Sequence, residues 1–267
     1  MKVIKCLVAL VVLVSAQLPP LQSQQPPAPN YHQVLHYIKV PQAGRVEFEQ
    51  LMKDTSLKAA ETRVKAGEIV SWTLLRSVMP SGTEARGDYL VSILYDGVPT
   101  EPLDRAGNEA LMKKAGVAMT GAAFYEKRDR LSALVCSELW RPLSRVGAPE
   151  KGHYLFINQM KVSDADAYVA FERDVWRPMA EQRAKDGEMS GWIFATKLLP
   201  SGDATPYRFY TADMFPTWAA AFKNWSAEDL FKKVHPGKNI DEAFANLEKL
   251  RSLAMRELWV VTERVAK

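Results

Sequence analysis

Cysteine is nearly missing from this chain: among 267 residues only Cys6 and Cys136 carry a thiol. Cys6 lies in a leading segment expected to be removed, so the folded protein has no partner for Cys136 and must be held by a core, not by disulfides. Charge of one sign is lacking as well. The 35 Lys+Arg stand against 31 Asp+Glu, and losing Lys2 and Lys5 with the leader brings the formal balance to +2. Basic and acidic residues alternate along helical faces without forming blocks, which speaks against a nucleic-acid partner. Catalytic signatures are absent too. There is no Walker loop, dinucleotide fingerprint, G-x-S-x-G, H-E-x-x-H or paired-cysteine motif, so hydrolase and nucleotide chemistry are poor readings.

What is present begins with "MKVIKCLVALVVLVSA", in which two lysines precede an apolar run and small residues occupy the positions before Gln17. This is the pattern of a secretory signal peptide, 1–16, cut after Ala16. The apolar run is shorter than the ~18 residues that span a bilayer, so after cleavage no membrane association is expected and the protein is expected to be secreted or periplasmic. Residues 17–30, rich in Pro, Gln and Ser and free of charge, have a linker composition that cannot bury a core. The 47% apolar content of the chain leaves enough hydrophobic surface for one large domain or two ordinary ones.

The chain repeats itself. Displaced by 120 residues, Arg63 meets Arg183, Gly67-Glu68 meets Gly187-Glu188, Trp72 meets Trp192, and "PSG" at 80–82 meets "PSG" at 200–202. Displaced by 119, Glu138-Leu139-Trp140 meets Glu257-Leu258-Trp259, and displaced by 117, His36-Tyr37 meets His153-Tyr154. Ordered identities at nearly constant offset mark two copies of one unit, 31–146 and 147–267. Each copy reads as a strand, a helix ending at Gly67 or Gly187, a hairpin of two strands around "PSG", a helical stretch, and a last strand holding "ELW". In the second copy Ser163 and Asp166 form a capping-box pattern, Tyr168, Phe171, Val175 and Met179 recur at helical spacing, and Pro178 is expected to kink the helix. The second helical stretches are expected over 104–114 with 120–134, and over 226–234 with 241–253.

That order is the split βαβ arrangement, an α+β class in which each βαββαβ repeat has helices on one sheet face only. "SWTLLRSVM" and "GWIFATKLL" are apolar at adjacent positions, so both faces of each sheet are expected to be buried. The economical cover for the bare face is the other copy. The two ferredoxin-like repeats would then fuse into one pseudo-dimeric α/β barrel.

In this element order and duplication the chain resembles the dimeric α/β-barrel superfamily, which includes antibiotic-biosynthesis-type monooxygenases, NIPSNAP-like proteins and chlorite-dismutase-like haem proteins. The resemblance implies ligands between sheet and helices or inside the barrel, and names no reaction. It also makes cofactor-independent or haem-using oxidation an alternative to simple binding of a small apolar or aromatic molecule. A structural or partner-binding module with a solid interior is the third reading. No cofactor is expected under the first reading. For haem, a helical histidine would be needed, and His235 in "KKVHPG" is the available position.

The candidate site residues follow from the repeat. His36 and His153 suggest paired imidazoles at a barrel mouth, able to exchange a proton near neutral pH, or two inherited strand ends. Trp72, Trp192, Trp140 and Trp259 lie on strands and could wall an aromatic pocket or simply pack. Glu138 and Glu257 precede strand tryptophans; strand alternation is expected to place each Glu on the face opposite its Trp, making this strand's contribution indole or carboxylate. His32 and His36, four residues apart on a strand, stand roughly 13 Å apart, too far to share one ion, so no metal is expected. Cys136, among Leu134, Val135 and Leu139, reads as a buried thiol.

Overall fold

The computed structural model describes residues 30–82, 85–202 and 204–267. The expected signal peptide and all but the last residue of the expected linker lie outside them. Eight strands carry the architecture: β1 (Tyr31–Lys39), β2 (Ser71–Met79), β3 (Tyr89–Asp96), β4 (Ala133–Gly147), β5 (Tyr154–Val162), β6 (Gly191–Leu199), β7 (Phe209–Phe215) and β8 (Arg251–Ala266). They form one closed antiparallel barrel in the order β1-β3-β2-β8-β5-β7-β6-β4. Each repeat supplies four neighbouring strands, and the seams are β2 with β8 and β4 with β6.

The long last strands close the barrel. β4 pairs with β1 through Ala133–Trp140 and with β6 through Leu139–Gly147, so its first half belongs to its own sheet and its second half to the sibling's. β8 does the same between β5 and β2. Closure leaves no sheet edge with unpaired backbone groups. Trp140 and Trp259 sit where the allegiance changes, each paired on both flanks.

The strand registers carry the duplication more firmly than the residue identities do. β4 skips Val135 opposite β1, and β8 skips its counterpart Ala254 opposite β5. The same agreement holds at the seams, where Leu143 is skipped opposite β6 and Thr262 opposite β2. One expectation falls here. Leu35 faces Glu138 and Ile157 faces Glu257, so the first strands match at an offset of 122 instead of 117. His36 therefore corresponds to Asn158, and the His-Tyr coincidence does not make a symmetric pair.

Helices cover the outer face of each sheet. In the first repeat α1 (Arg45–Leu51) runs through a π-helical turn (Met52–Leu57) into α2 (Lys58–Lys65), followed by α3 (Arg105–Lys114) and α4 (Gly121–Leu131). In the second, α5 (Ala165–Phe171) runs through a π-helical turn (Glu172–Trp176) into α6 (Arg177–Lys185), with α7 (Trp218–Ala221), α8 (Ala227–Val234) and α9 (Ile240–Leu250) after it. Both π turns fall at the same place in the repeat, and the first has no proline. The irregularity is thus inherited, and Pro178 merely occupies the first turn of α6, where its missing N–H costs nothing. The helix starts at the Asp164 cap, whose carboxylate accepts from the Ala167 N–H; Ser163 instead donates to the Lys249 and Leu250 carbonyls. Gly67 and Gly187 take φ of 77° and 75° just past their helices, as expected. α4 and α9 are each three residues shorter at the end than the expected 134 and 253, because the apolar runs after them belong to β4 and β8.

Three apolar cores result. Leu35, Tyr37, Trp140, Ile157, Tyr210 and Trp259 belong to the one inside the barrel. Phe48, Met52, Trp72 and Tyr89 belong to the layer between the first sheet and its helices, and Tyr168, Trp192, Phe194 and Phe209 to the layer between the second sheet and its helices. Each fully buried aliphatic or aromatic side chain contributes about 1.5–3 kcal/mol. Among the described residues no helix is long and apolar enough to cross a membrane.

Candidate functional site

The candidate residues do not converge on one pocket. Trp140, Trp259, Glu138 and Glu257 point into the barrel, Trp72, Trp192 and His36 point outward under the helices, and His153 lies just before β5. The Glu–Trp expectation is overturned by spacing: Glu138 and Trp140 are two residues apart on one strand, so they share a face. The Trp140 Nε1–H donates to Glu138 Oε2 at 3.1 Å.

At one end of the barrel Glu138 is the centre of a packed ionic cluster. Its Oε1 accepts from Lys197 Nζ at 2.7 Å and from the Tyr207 hydroxyl at 2.8 Å, and Arg86 NH2 pairs with Oε2 at 2.9 Å. The Arg86 guanidinium lies 3.3 Å above the Tyr37 ring, and Lys197 Nζ 3.5 Å above that of Tyr207. Burial lowers the Lys197 pKa, and the Glu138 carboxylate opposes that shift. Glu257, the repeat counterpart of Glu138, lacks these cations beside it. Among the described residues it accepts only from Gln159 Nε2 at 3.3 Å, and the Trp259 ring N–H lies near it without full hydrogen-bond geometry. Burial raises its pKa, with the Arg86 charge opposing. A carboxylate satisfied on every side, with its cations capped by rings, is a structural keystone for this end. Lys197 and Tyr207 of this cluster also line an open, largely polar cleft of about 680 Å3 beside the β6–β7 turn.

A more apolar space opens under the helices of the first repeat. A cavity of about 310 Å3 has His36 and Ile38 of β1, Trp72 of β2 and Val91 of β3 as its floor. Met52 and Ser56 of the π-helical turn and Phe124 and Arg128 of α4 form its walls. The His36 Nδ1 is 2.7 Å from Ser137 Oγ on β4, and burial lowers its pKa, so the imidazole is neutral at physiological pH. Arg128 is paired with the adjacent Asp129 at 2.7 Å and rests over the Tyr125 ring at 4.8 Å. The lining therefore combines an indole, a phenyl ring and a thioether with one neutral imidazole and, at the rim, the Arg128–Asp129 ion pair.

The corresponding layer of the second repeat is filled. Where the first repeat has Ser56, the second has Trp176, whose indole meets Trp225 and Phe244 edge-on at 6.4 and 6.2 Å. Trp192, Phe194, Phe209 and Tyr168 stack beside it, all 2% exposed or less. His235 is spent in this packing, its Nε2 2.9 Å from the Val175 carbonyl and its ring against Phe231. These residues do not fit a haem, since the helical histidine that would ligate iron faces backbone and aromatic rings. His153 accepts at Nδ1 from the Glu150 N–H at 3.0 Å and caps a turn. His32 contacts the Gly97 carbonyl at 2.8 Å. Cys136 is half-buried, not enclosed, because Leu134 and Val135 beside it are exposed.

No protein-family model matches this sequence, and no curated protein matches it. Solved structures do. A candidate monooxygenase from Lactobacillus acidophilus NCFM superposes with a TM-score of 0.52 at 11% identity, covering 89% of this chain and 96% of that one. A candidate monooxygenase from Fusobacterium nucleatum subsp. nucleatum gives 0.52 at 6% identity over 89% and 95%. A candidate chlorite dismutase gives 0.45 at 10% identity over 88% and 95%, too low to bear on the argument. The fold is the dimeric α/β barrel. At these identities the likeness extends to the fold and stops there.

Within the barrel, several residues that matter were not singled out from sequence. Arg86 and Tyr207 come from the hairpin loops, where spacing carries no signal. Arg145 and Arg264 recur at the same 119-residue offset as "ELW", a signal that was legible. The exchange of Ser56 for Trp176 was equally legible, because comparing the copies where they differ points to the hollow one.

Proposed function

We propose that this is an exported protein whose first repeat binds a small aromatic molecule between its sheet and its helices. One observation carries the reading: the cavity of about 310 Å3 lined by Trp72, Phe124 and Met52, with His36 in the floor. Its size falls at the lower end of the range for small-molecule sites, and an apolar wall with a few polar groups is their usual composition. Flat aromatic surfaces favour a ring, and the neutral His36 favours a ring bearing a hydroxyl, while the rim Arg128 is already paired with Asp129. Export is supported by Lys2, Lys5 and the apolar run after them.

A second reading, cofactor-independent oxidation, is favoured by His36 itself. A neutral imidazole beside a bound phenol or quinol can accept its hydroxyl proton, and the resulting electron-rich anion is the form that reacts with oxygen. The candidate monooxygenases above share this barrel, which keeps the reading in view at the level of fold alone.

The test uses the second repeat as a guide. Wild-type protein is titrated with a panel of phenols, naphthols and benzoates while tryptophan fluorescence is recorded, alongside Ser56→Trp, which introduces the residue found at the matching position. Saturable quenching in wild type and its loss in a folded Ser56→Trp protein supports the site. Equal binding to both proteins rules it out. Oxygen uptake with the ligands that bind, abolished by His36→Ala, separates an enzyme from a binder.

A further inference from the structure

The barrel has a second, smaller void that the aromatic site does not use. About 50 Å3 of space lies inside the barrel, toward the end opposite the Glu138 cluster, and all eight strands line it. Its walls are aliphatic, with Leu35, Leu90, Leu155, Ile157, Ile193 and Met214 prominent. At its mouth stand Arg145 of β4, paired with Ile193, and Arg264 of β8, paired with Thr73. These two arginines are counterparts in the repeat, so the pseudo-two-fold axis brings like charges to one opening.

Neither arginine is spoken for. Among the described residues neither side chain forms an ion pair or donates a hydrogen bond, and both Nε atoms are buried without a partner. The Arg145 guanidinium has only the face of the Tyr31 ring, at 5.4 Å. Burial and the neighbouring Arg145 charge both act against the charge on Arg264, and only the exposed Glu150 offsets them from beyond ion-pair distance. Of the other polar groups at the opening, Tyr210, Gln33 and Ser92 are engaged with one another. The Tyr210 hydroxyl donates to Gln33 Oε1, and Gln33 Nε2 donates to Ser92 Oγ at 2.7 Å. Two guanidinium groups held close, partly desolvated and without a counter-charge, need an anion, and their forked donors match a carboxylate.

We propose that this mouth binds a short-chain aliphatic carboxylate, the carboxylate bridging Arg145 and Arg264 and the alkyl chain filling the aliphatic void. The void sets the chain length. A cavity that holds benzene is about 150 Å3, so about 50 Å3 excludes an aromatic ring and admits only a few carbons. Inorganic phosphate would satisfy the charges and leave the void empty. The site is independent of the aromatic cavity, and either can fail without the other.

The experiment is a thermal-shift titration of the full chain with acetate, butyrate, benzoate and phosphate at constant ionic strength. It is repeated for Arg145→Gln, Arg264→Gln, Ala212→Val and Ser56→Trp. The expected result is a saturable rise in melting temperature for butyrate that exceeds those for acetate and phosphate and, in Ser56→Trp, where the aromatic cavity is closed, that for benzoate. Either glutamine variant should weaken the butyrate affinity by about tenfold or more, the worth of a lost charge-assisted contact. Ala212 lines the void, so Ala212→Val should erase the preference for butyrate over acetate while keeping both arginines, which holds the test open if an arginine variant misfolds. Ser56→Trp should leave the response intact. Equal responses to all four anions, an unchanged response in the arginine variants, loss of the response in Ser56→Trp, or no response in wild type would each overturn the proposal.

Discussion

Replacing Glu172 by glutamine should remove a fall in stability that the wild-type protein shows as pH rises from about 4.5 to about 7. Glu172 lies in the second π-helical turn, 3% exposed, and its Oε2 and the Tyr168 hydroxyl lie near each other without full hydrogen-bond geometry and with no other partner among the described residues. Burial raises its pKa to about 7, with the Tyr168 hydroxyl and the Arg251 charge opposing and the Asp213 carboxylate adding. The folded protein then holds this proton over a range in which the unfolded chain has released it. Stability changes with pH as the difference in protons bound by the unfolded and folded states, which is negative here, so stability is full below the unfolded pKa, declines through the window and levels off above about 7. The raised pKa corresponds to about 3 kcal/mol across that window, at about 1.4 kcal/mol per unit. Glutamine has nearly the same shape and no proton to lose. Its amide can still cost ~1–3 kcal/mol if unsatisfied, but that cost is the same at every pH. The measurement is therefore the difference in urea-unfolding free energy between the two proteins from pH 4.5 to pH 8, at matched m-values. A difference that shifts by about 3 kcal/mol in favour of glutamine fits the reasoning; parallel profiles would refute it.

Two further substitutions probe the barrel. Glu138→Ala leaves Lys197 and Arg86 buried without their carboxylate, and should cost about 3–5 kcal/mol in urea unfolding, the usual penalty for breaking a buried pair from one side; a loss under 1 kcal/mol would mean the cluster is more hydrated than it looks. At the junction of the repeats Gly147 has φ of 60°, and a Cβ there would collide with the Ser190 carbonyl oxygen, so Gly147→Ala should destabilise by about 1–3 kcal/mol in the same assay, whereas Gly152→Ala, at φ of 87° with nothing within 4 Å, should lose less.

The barrel was legible in the sequence because duplication shows one pattern twice. Element order, the helix-ending glycines and the "ELW" strands all followed from that. What misled was treating a short match as a register. His36-Tyr37 and His153-Tyr154 align by letter, but the bulges at Val135 and Ala254 fix the first strands at another offset. The Glu–Trp assignment failed on counting alone, since positions i and i+2 of a strand face the same way. The site itself was less legible. His36 and Trp72 reach the cavity floor, while the walls come from the π-helical turn and α4, whose approach to the sheet no local pattern encodes. The asymmetry that makes one layer hollow rests on Ser56 against Trp176, a difference between the copies, whereas the repeat is marked by their identities.

The central claim is that two copies of one fold have diverged into a hollow sheet–helix layer and a filled one. Crystals pressurised with xenon test it most directly, because the gas enters apolar voids of this size without needing a known ligand. The account predicts xenon density between Trp72, Met52 and Phe124 in the first repeat and none beside Trp176 in the second. Density in the second layer, or an empty first layer, would contradict it.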